Sequence, residues 1–265
     1  MHNKPGFIID LDGTMYAGTR PIPGAAEFIE RLREAGFPFV YATNNSSRRP
    51  EQVAEHLRSV AGVEARPDEV LTSAQAAARY ISGRQPGART FVIGEEGLLH
   101  AAHEAGLVVT GEEPEFVLQG IDRQFSYSKL EAAVRHIRNG AAYVLTNPDH
   151  LLPGEGGFRP GAGSLAAAIR MASEAEPVVI GKPSSILLEM AVEALGIPAG
   201  EAWVVGDNLR TDIQGGISAG CRTALVLTGL VTPDQADKLI AGSAIRPDLV
   251  CRDLLELFER LAAKR

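Results

Sequence analysis

In the segment Phe7-Ile8-Ile9-Asp10-Leu11-Asp12-Gly13-Thr14, a short apolar run ends at a pair of carboxylates, and the predicted fold is inferred from this pattern and its recurrence. Three other apolar runs also lead into polar loops, namely residues 37–41, 203–205 and 223–227. Runs that are apolar throughout are typical of strands that helices cover on both faces. The sequence therefore predicts a largely parallel sheet.

Amphipathic helices alternate with these runs. Their apolar stripes follow helical spacing and are Ala25, Phe28, Ile29 and Leu32 in the first helix and Leu187, Met190, Ala191 and Ala194 in a later one. Gly36 and Gly196 follow the two stripes as stop signals. The alternation indicates an α/β protein with a Rossmann-like three-layer core, in which ligands bind beyond the carboxyl ends of the strands.

The middle third of the chain forms a second, smaller α/β set. The break at residues 82–87 is rich in glycine and polar residues and reads as a linker. Strands are predicted at 90–93, 116–120 and 142–146, helices at 97–105, 129–139 and 164–172, and a Gly/Pro-rich loop at 153–161. We therefore expect a core formed by residues 1–81 and 178–265, with an inserted domain over 82–177.

Composition excludes several classes of protein. The net charge of −7 provides no basic field for nucleic acid or anionic lipid. Cys221 and Cys251 are the two cysteines and lie outside any CxxC pattern, so the sequence predicts neither disulfides nor a zinc–thiolate site. The start at Met1-His2-Asn3 leads into a strand without a hydrophobic leader stretch, which favours a cytoplasmic location.

Asp10 and Asp12 are the first candidates for chemistry. Two carboxylates at i and i+2 after a strand project toward the same side, where their repulsion requires either a bound cation or the protonation of one acid beside an ionised carboxylate. A turn in which an aspartate caps the next helix is the alternative reading of this motif alone.

Three further clusters follow other predicted elements. They are the amide- and hydroxyl-rich loop at Thr43, Asn44 and Asn45, the single lysine Lys182, and the acidic loop that contains Asp207, Asn208 and Asp212. Each alone has an ordinary explanation, respectively a helix N-cap, a surface lysine and a solvated turn. Their joint occurrence in this order makes independent ordinary explanations improbable, and oxygen ligands without a His or Cys cluster indicate Mg²⁺.

This ordered set of motifs resembles the haloacid dehalogenase superfamily of phosphatases. The phrase Pro21-Ile22-Pro23-Gly24-Ala25, the phrase Thr146-Asn147-Pro148-Asp149 and the position of the insert look like subfamily IIA, the nitrophenyl-phosphatase and NagD-like proteins with a larger α/β cap. The resemblance covers nearly the whole chain. It implies a phosphoric monoester hydrolase that acts on small phosphates such as nucleotides or sugar phosphates.

The resemblance also implies roles for individual residues. Asp10 would be the nucleophile that forms an aspartyl phosphate, and Asp12 the general acid and then the general base. Mg²⁺ would be held by Asp10, Asp207 and the backbone carbonyl of Asp12. Lys182, Thr43, Asn44 and Asn45 would bind the phosphate, and Asp212 and Asn208 would support the site.

The insert would act as a roof over that site. By resemblance, Asn147, Asp149 and His150 would present substrate-recognising groups, although no specific role follows for His150. His100 and His103 lie one helical turn apart in the insert, a spacing that could hold a metal, but a surface or structural pair is the preferred interpretation.

Two other functions stay open at this point. A phospho-accepting signalling switch also combines acids, Thr, Lys and Mg²⁺, and a non-catalytic metabolite-binding protein could retain the pocket. The expected partner is a small phosphomonoester, with no nucleic acid and no membrane. The sequence does not determine the physiological substrate, the regulation or whether the chain forms a homodimer.

Overall fold

The computed structural model describes residues 4–154 and 157–262. This description does not include residues 1–3, at the start of the sequence, or residues 155 and 156 of the predicted Gly/Pro-rich loop. The strands are β1 Gly6–Ile9, β2 Tyr16–Ala17, β3 Arg20–Pro21, β4 Phe39–Thr43, β5 Val70–Thr72, β6 Arg89–Ile93, β7 Val108–Val109, β8 Phe116–Gln119, β9 Ala142–Leu145, β10 Leu151–Gly154, β11 Gly157–Pro160, β12 Val178–Val179, β13 Ala202–Gly206, β14 Arg222–Val226 and β15 Leu249–Cys251. The helices are α1 Ala25–Glu34, α2 Pro50–Ala61, α3 Ser73–Arg84, α4 Glu96–Glu104, α5 Tyr127–Arg138, α6 Ala162–Ser173, α7 Ser185–Leu195, α8 Gln214–Ser218, α9 Pro233–Ala241 and α10 Leu254–Ala262.

The chain divides into two compact units. The core unit contains residues 4–43, 50–71 and 182–262, and the inserted unit contains residues 44–49 and 72–181. The inserted unit thus takes in α3, which packs against α4, and β12, which pairs with β9. Helix α3 extends across the predicted boundary at 81/82, and β12 begins directly after the predicted boundary at 177/178. The predicted linker at 82–87 is wrong for its first three residues, which continue α3.

The core unit contains the predicted parallel sheet. Its six strands have the order β15-β14-β13-β1-β4-β5. The pairs β14–β15, β13–β14, β1–β13 and β1–β4 are parallel. Phe7 lies opposite Trp203 and Ile9 opposite Val205. The order of the strands reverses beside β1, and such a switch point is where open α/β sheets bind ligands.

Both faces of this sheet are covered, which explains the continuously apolar runs. Phe7 and Ile9 pack in one cluster with Phe28 of α1 and Leu257 of α10. On the other side, α7 packs against β1 and β4. The helix α1 buries Ala25, Phe28, Ile29 and Leu32, the stripe that the sequence predicts, and Gly36 follows it at φ +64°.

The predicted stripe of α7 is partly wrong. The residues it buries are Leu187, Leu188 and Ala191, whereas Met190 is half-buried and Ala194 is exposed. Leucine at position 188 is apolar as well, so the pattern fits two neighbouring faces of the helix. Packing of α7 against β1 and β4 selects the face with the larger side chains.

The inserted unit has a five-stranded parallel sheet of order β12-β9-β8-β6-β7. The three strands and three helices predicted for the insert are present within a few residues of their predicted bounds, whereas α3, β7 and β12 were not predicted. Ile93, Val117 and Tyr143 pack with Ile137 of α5 and Ile169 of α6 in its core.

The predicted Gly/Pro-rich loop at 153–161 is an antiparallel hairpin over its described residues. Strand β10 pairs with β11, with Leu151 opposite Pro160 and Leu152 opposite Arg159. A two-stranded ribbon has few buried contacts, so its residues carry no apolar alternation that a sequence reading could detect.

Two further predictions concern the cysteines and the membrane. Cys221 and Cys251 are both buried and free, as expected of small apolar side chains. None of the described helices is both long and apolar enough to cross a membrane.

Candidate active site

Asp10 lies at the carboxyl end of β1, the central strand of the core unit. Its backbone N–H donates to the carbonyl of Val205 at 2.8 Å, which continues the pairing of β1 with β13 for one residue. Its side chain is largely buried. The strand pairing therefore fixes the position of this carboxylate at the edge where ligands are expected.

Lys182 lies between two carboxylates and is itself buried. Its Nζ is 2.5 Å from Oδ1 of Asp10 and 2.7 Å from Oδ1 of Asp212, and it donates to the carbonyl oxygen of Ala42 at 3.0 Å. Asp10 precedes Lys182 by 172 residues. The ammonium of Lys182 is buried and has three oxygen partners. The interpretation of Lys182 as a surface lysine is therefore wrong.

Asp207 follows β13 and is enclosed by glycines. Its Oδ2 accepts from the backbone N–H of Leu230 at 2.6 Å. A Cβ at Gly13 would lie 2.3 Å from that oxygen, and a Cβ at Gly229 would lie 2.1 Å from it. Gly13 also has φ +92°, where side chains are strained. Both positions must therefore be glycine for the carboxylate to occupy this place.

Three carboxylates meet around this point. Asp10, Asp207 and Asp212 each offer an oxygen, and these atoms lie within 4.8 Å of one another. With Lys182 as the cation among them, two negative charges stay uncompensated when all three acids are ionised. Oxygen donors with this excess charge suit a hard divalent cation, so these residues could hold the kind of metal ion that the resemblance implies.

Burial shifts the pKa values of the group. Desolvation raises the pKa of Asp10 well above its ordinary value, against the lowering effect of Lys182. The pKa of Asp207 is raised from 3.8 to about 7, mainly by desolvation and to a smaller extent by repulsion from Asp212. Burial by itself would lower the pKa of Lys182, but the charges of Asp10 and Asp212 outweigh it and raise that pKa. Lys182 therefore stays protonated while the acids compete for a proton or a metal ion.

Asp12 has a different environment from Asp10. It is exposed, and its Oδ1 accepts from the backbone N–H of Gly18 at 3.2 Å. An exposed carboxyl can exchange its proton with water, whereas the carboxylate of Asp10 is held by Lys182. The structure thus gives the two aspartates of the motif distinct surroundings.

The loop after β4 begins with Thr43, which is buried at the end of the strand. Asn45 uses its Oδ1 to accept from the backbone N–H groups of Ser47 and Arg48, at 3.0 and 2.9 Å. This is the local capping pattern that an asparagine commonly adopts. The side-chain oxygen of Asn45 therefore holds the loop in shape.

Within the inserted unit, three predicted residues form one network. Asn147 Nδ2 donates to the carbonyl of Asn44 at 2.8 Å, Asn44 Nδ2 donates to Oδ2 of Asp149 at 3.1 Å, and the backbone N–H of Asp149 donates to Oδ1 of Asn147 at 3.2 Å. The side chain of His150 is exposed. The structure therefore joins Asn44, Asn147 and Asp149 but leaves His150 at the surface.

Asn208 stabilises the local structure around Asp212. Asn208 caps the π-helical turn Leu209–Ile213 by accepting from the N–H of Arg210 at 2.9 Å. Its own N–H donates to Oδ2 of Asp212 at 3.1 Å, so it also orients that acid.

His100 is half-buried and His103 is exposed on α4.

The loop after β14 contacts the candidate site through residues for which the sequence pattern predicts no role. Thr228 Oγ1 donates to the carbonyl of Gly13 at 2.7 Å, and Gly229 and Leu230 contact Asp207. The available signal was the position of Thr228-Gly229 after the fourth apolar run. A lone threonine and glycine are too common in turns to have indicated a contact with the acidic group.

We expect the metal-free protein to lose stability as the pH rises from about 4 to about 7, because the pKa of Asp207 is raised from 3.8 to about 7 in the folded state. In this window the folded protein binds more protons than the unfolded chain, so the free energy of unfolding falls by up to about 1.4 kcal/mol per pH unit for one such group. Asp207→Asn removes this titration. The measurement is urea unfolding in EDTA at pH 5 and pH 8, repeated with Mg²⁺.

The expected result is that Asp207→Asn loses less stability between the two pH values than the wild type does, and gains less from Mg²⁺. Asp237→Asn, which changes an exposed acid of α9, is the matched control and should behave as the wild type. Identical pH dependence of wild type and Asp207→Asn in EDTA would contradict the assigned pKa shift.

Comparison with known proteins identifies the family. Residues 7–108 match the family model described as haloacid dehalogenase-like hydrolase, and residues 179–257 match a second model of HAD-like hydrolases. The chain is 45% identical to the 5'-nucleotidase YutF of Bacillus subtilis over 87% of this chain and 90% of that protein, and 42% identical to an acid sugar phosphatase of Staphylococcus aureus over 98% and 99%.

A solved structure agrees with these relatives. The p-nitrophenyl phosphatase from Archaeoglobus fulgidus superposes with a TM-score of 0.92 at 36% identity, covering 97% of this chain and 99% of that one. The predicted fold class and the predicted enzyme class, a phosphoric monoester hydrolase, are thereby confirmed. The chain belongs to the haloacid dehalogenase-like hydrolases, in the nitrophenyl-phosphatase-like subfamily IIA that its motifs resemble.

Proposed function

We propose that this protein hydrolyses small organic phosphate monoesters with the help of Mg²⁺ and through a transient aspartyl phosphate, an acyl phosphate formed on Asp10. The observation that carries the proposal is the buried group formed by Asp10, Asp207, Asp212 and Lys182, which has two uncompensated negative charges. A phosphatase needs this combination, since a cation must offset the charge of the substrate and a carboxylate must attack it.

Asp10, Asp207 and the backbone carbonyl of Asp12 are the proposed ligands of the metal, with Asp212 as a supporting acid. When bound, Mg²⁺ would supply positive charge that lowers the repulsion between the carboxylates and the phosphate dianion. The glycines that enclose Asp207 support this assignment, because their missing side chains leave the carboxylate room in a buried place.

Asp10 is the proposed nucleophile. One carboxylate oxygen forms a bond to phosphorus while the bond from phosphorus to the ester oxygen breaks. Lys182 assists this step in two ways. Its ammonium fixes the orientation of the Asp10 carboxylate, and it adds positive charge beside the incoming phosphate. Water then breaks the aspartyl phosphate and releases inorganic phosphate.

Asp12 is the proposed general acid and base. Its carboxyl group gives a proton to the departing ester oxygen, which leaves as an alcohol, and then takes a proton from the attacking water. The exposure of Asp12 supports this role, because a group that accepts and releases protons in each cycle must exchange them with solvent.

Thr43, Asn44 and Asn45 are the proposed phosphate-binding residues, and Asn147, Asp149 and His150 the proposed substrate-recognising residues of the inserted unit. The hydrogen bonds among Asn44, Asn147 and Asp149 support a shared role, since they couple the loop after β4 to the predicted recognition segment. On this proposal the inserted unit functions as the cap that selects the substrate.

The relatives guide the choice of substrate class. Nucleoside monophosphates and sugar phosphates are the proposed candidates, because the names of the relatives specify a 5'-nucleotidase and a sugar phosphatase. p-Nitrophenyl phosphate is the proposed reporter.

The test is phosphate release from a panel of cellular phosphomonoesters, ranked by kcat/KM. We expect catalytic turnover that disappears in EDTA and returns with Mg²⁺.

In the same panel, His150→Ala should change the ratios of KM among substrates more than it changes kcat. A phosphorylated protein that forms once and does not turn over would instead indicate a signalling switch, and binding without phosphate release would indicate a metabolite-binding protein.

A further inference from the structure

The turn at Tyr16–Gly18 provides a hydrogen-bond donor to the side chain of Asp12. Besides donating its N–H to Oδ1 of Asp12 at 3.2 Å, Gly18 has φ +63°, so it occupies a left-handed turn that suits glycine. Gly13 N–H donates to the carbonyl of Tyr16 at 2.7 Å, which closes the loop between Asp12 and the turn. A shift of the turn would therefore move the hydrogen-bond donor of Asp12.

This turn has little support of its own. It joins β2 to β3, which are two residues long each and pair only through Tyr16–Pro21 and Ala17–Arg20. An isolated two-stranded ribbon is marginally stable in water. The position of Gly18 therefore depends on contacts from another element.

His56 of α2 provides such contacts at two points. Its Nε2 lies 3.2 Å from the carbonyl oxygen of Gly18, so an Nε2–H group donates there. Its ring packs edge-on against the ring of Tyr16, with the centroids 4.7 Å apart and the planes at 87°. Tyr16 is buried, which makes this a contact with a fixed side chain.

The helix that carries His56 is well anchored. Val53 and Leu57, its neighbours on α2, are buried in the main apolar cluster of the core unit. His56 thus links a rigid helix to the Gly18 turn, and the Gly18 turn donates to Asp12. The chain of contacts runs from helix to turn to carboxyl without passing through Asp10, Lys182 or Asp207.

We propose that His56 is a positioning residue that holds Asp12, through Gly18, in place for proton transfer to the leaving group. This inference rests on the proposed function. In the step concerned, a carboxylate oxygen of Asp10 bonds to phosphorus, the bond from phosphorus to the ester oxygen breaks, and the proton of Asp12 moves to that oxygen. The products are the aspartyl phosphate, an alcohol and ionised Asp12.

The step has a kinetic signature that distinguishes positioning from general support. An alkoxide is a poor leaving group and needs the proton, whereas p-nitrophenolate is a good one and departs without it. Misplacing Asp12 should therefore impair alkyl phosphates more than p-nitrophenyl phosphate. The constant kcat/KM reports this step, because it covers the reaction up to release of the alcohol.

The experiment compares kcat/KM for glycerol phosphate and p-nitrophenyl phosphate in the wild type, His56→Phe and His56→Gln. Phenylalanine keeps the ring beside Tyr16 but cannot donate, whereas glutamine loses the ring but can still donate to Gly18. For His56→Phe we expect a loss of about tenfold with glycerol phosphate and less than about threefold with p-nitrophenyl phosphate, a part of what a general acid contributes. His56→Gln should recover most of the loss.

His103→Phe is the matched control, because it makes the same substitution at an exposed position of α4 and should leave both constants unchanged. Should His56→Phe fail to fold, His56→Asn replaces it, since the shorter amide cannot reach Gly18 and should show the same selective loss. Equal losses with both substrates, or no recovery with His56→Gln, would overturn the proposal. Failure of the proposed function is distinct from these outcomes, because the wild type itself would then release no phosphate.

Discussion

Asp10→Asn should leave a folded protein that no longer turns over phosphomonoesters. An amide oxygen is a far weaker nucleophile than a carboxylate, so the aspartyl phosphate cannot form, and loss of a covalent nucleophile typically lowers kcat by about 10⁴-fold or more. The fold should persist, because the substitution removes one negative charge from a group that has two uncompensated ones. The measurements are phosphate release and urea unfolding.

Mass spectrometry after a brief incubation with substrate adds a direct readout. A phosphoryl group should be detected on the wild type and be absent from Asp10→Asn. Asp237→Asn serves again as the control, since it makes the same change at an exposed acid. Phosphate release at the wild-type rate by a folded Asp10→Asn protein would remove the covalent step from the proposed mechanism.

Lys182→Met should lower both stability and activity. Methionine has a similar length but no charge, so Asp10 and Asp212 lose the ammonium that lies 2.5 and 2.7 Å from them. Breaking a buried ion pair by removing one partner costs about 3–5 kcal/mol. The cost should be larger at pH 8 than at pH 5, because burial already raises the pKa of Asp10, so this carboxyl can take up a proton at the lower pH. We expect kcat to fall by about 10²–10³-fold, as when one stabilising donor is removed.

A double variant separates the two effects. Lys182→Met with Asp212→Asn removes one stranded charge, so it should recover stability in urea unfolding without recovering activity. Lys238→Met, at an exposed lysine of α9, is the control and should be neutral. A Lys182→Met protein as stable as the wild type at pH 8 would contradict the assigned charge balance.

The sheet of the core unit was predictable because its signal is local. The residues on β1 and β13 are buried on both faces, so these strands are continuously apolar and their ends show as polar residues. The stripe on α1 is equally clear, since it faces a single apolar cluster. An element that is buried along a whole face has a regular apolar pattern in its own sequence. That pattern can be recognised without knowing which elements pack against it.

Two elements have patterns in the sequence that do not specify their structure. The hairpin β10–β11 exposes its described β11 residues and therefore shows no alternation. On α7 a second leucine beside the predicted stripe made two faces equally apolar, and only packing against β1 and β4 decided between them. In both cases the local pattern is compatible with more than one structure.

Local patterns in the sequence were sufficient to predict the fold class, the order of the motifs and the identity of the acids and the lysine of the candidate site. Tertiary structure alone decided that Lys182 lies between Asp10 and Asp212, that the loop at Gly229 encloses Asp207, and that Gly18 and His56 form a chain of contacts to Asp12. The physical reason is distance along the chain. Asp10 and Lys182 are 172 residues apart, and a charge pair of that kind forms only after the sheet has brought the ends of its strands together.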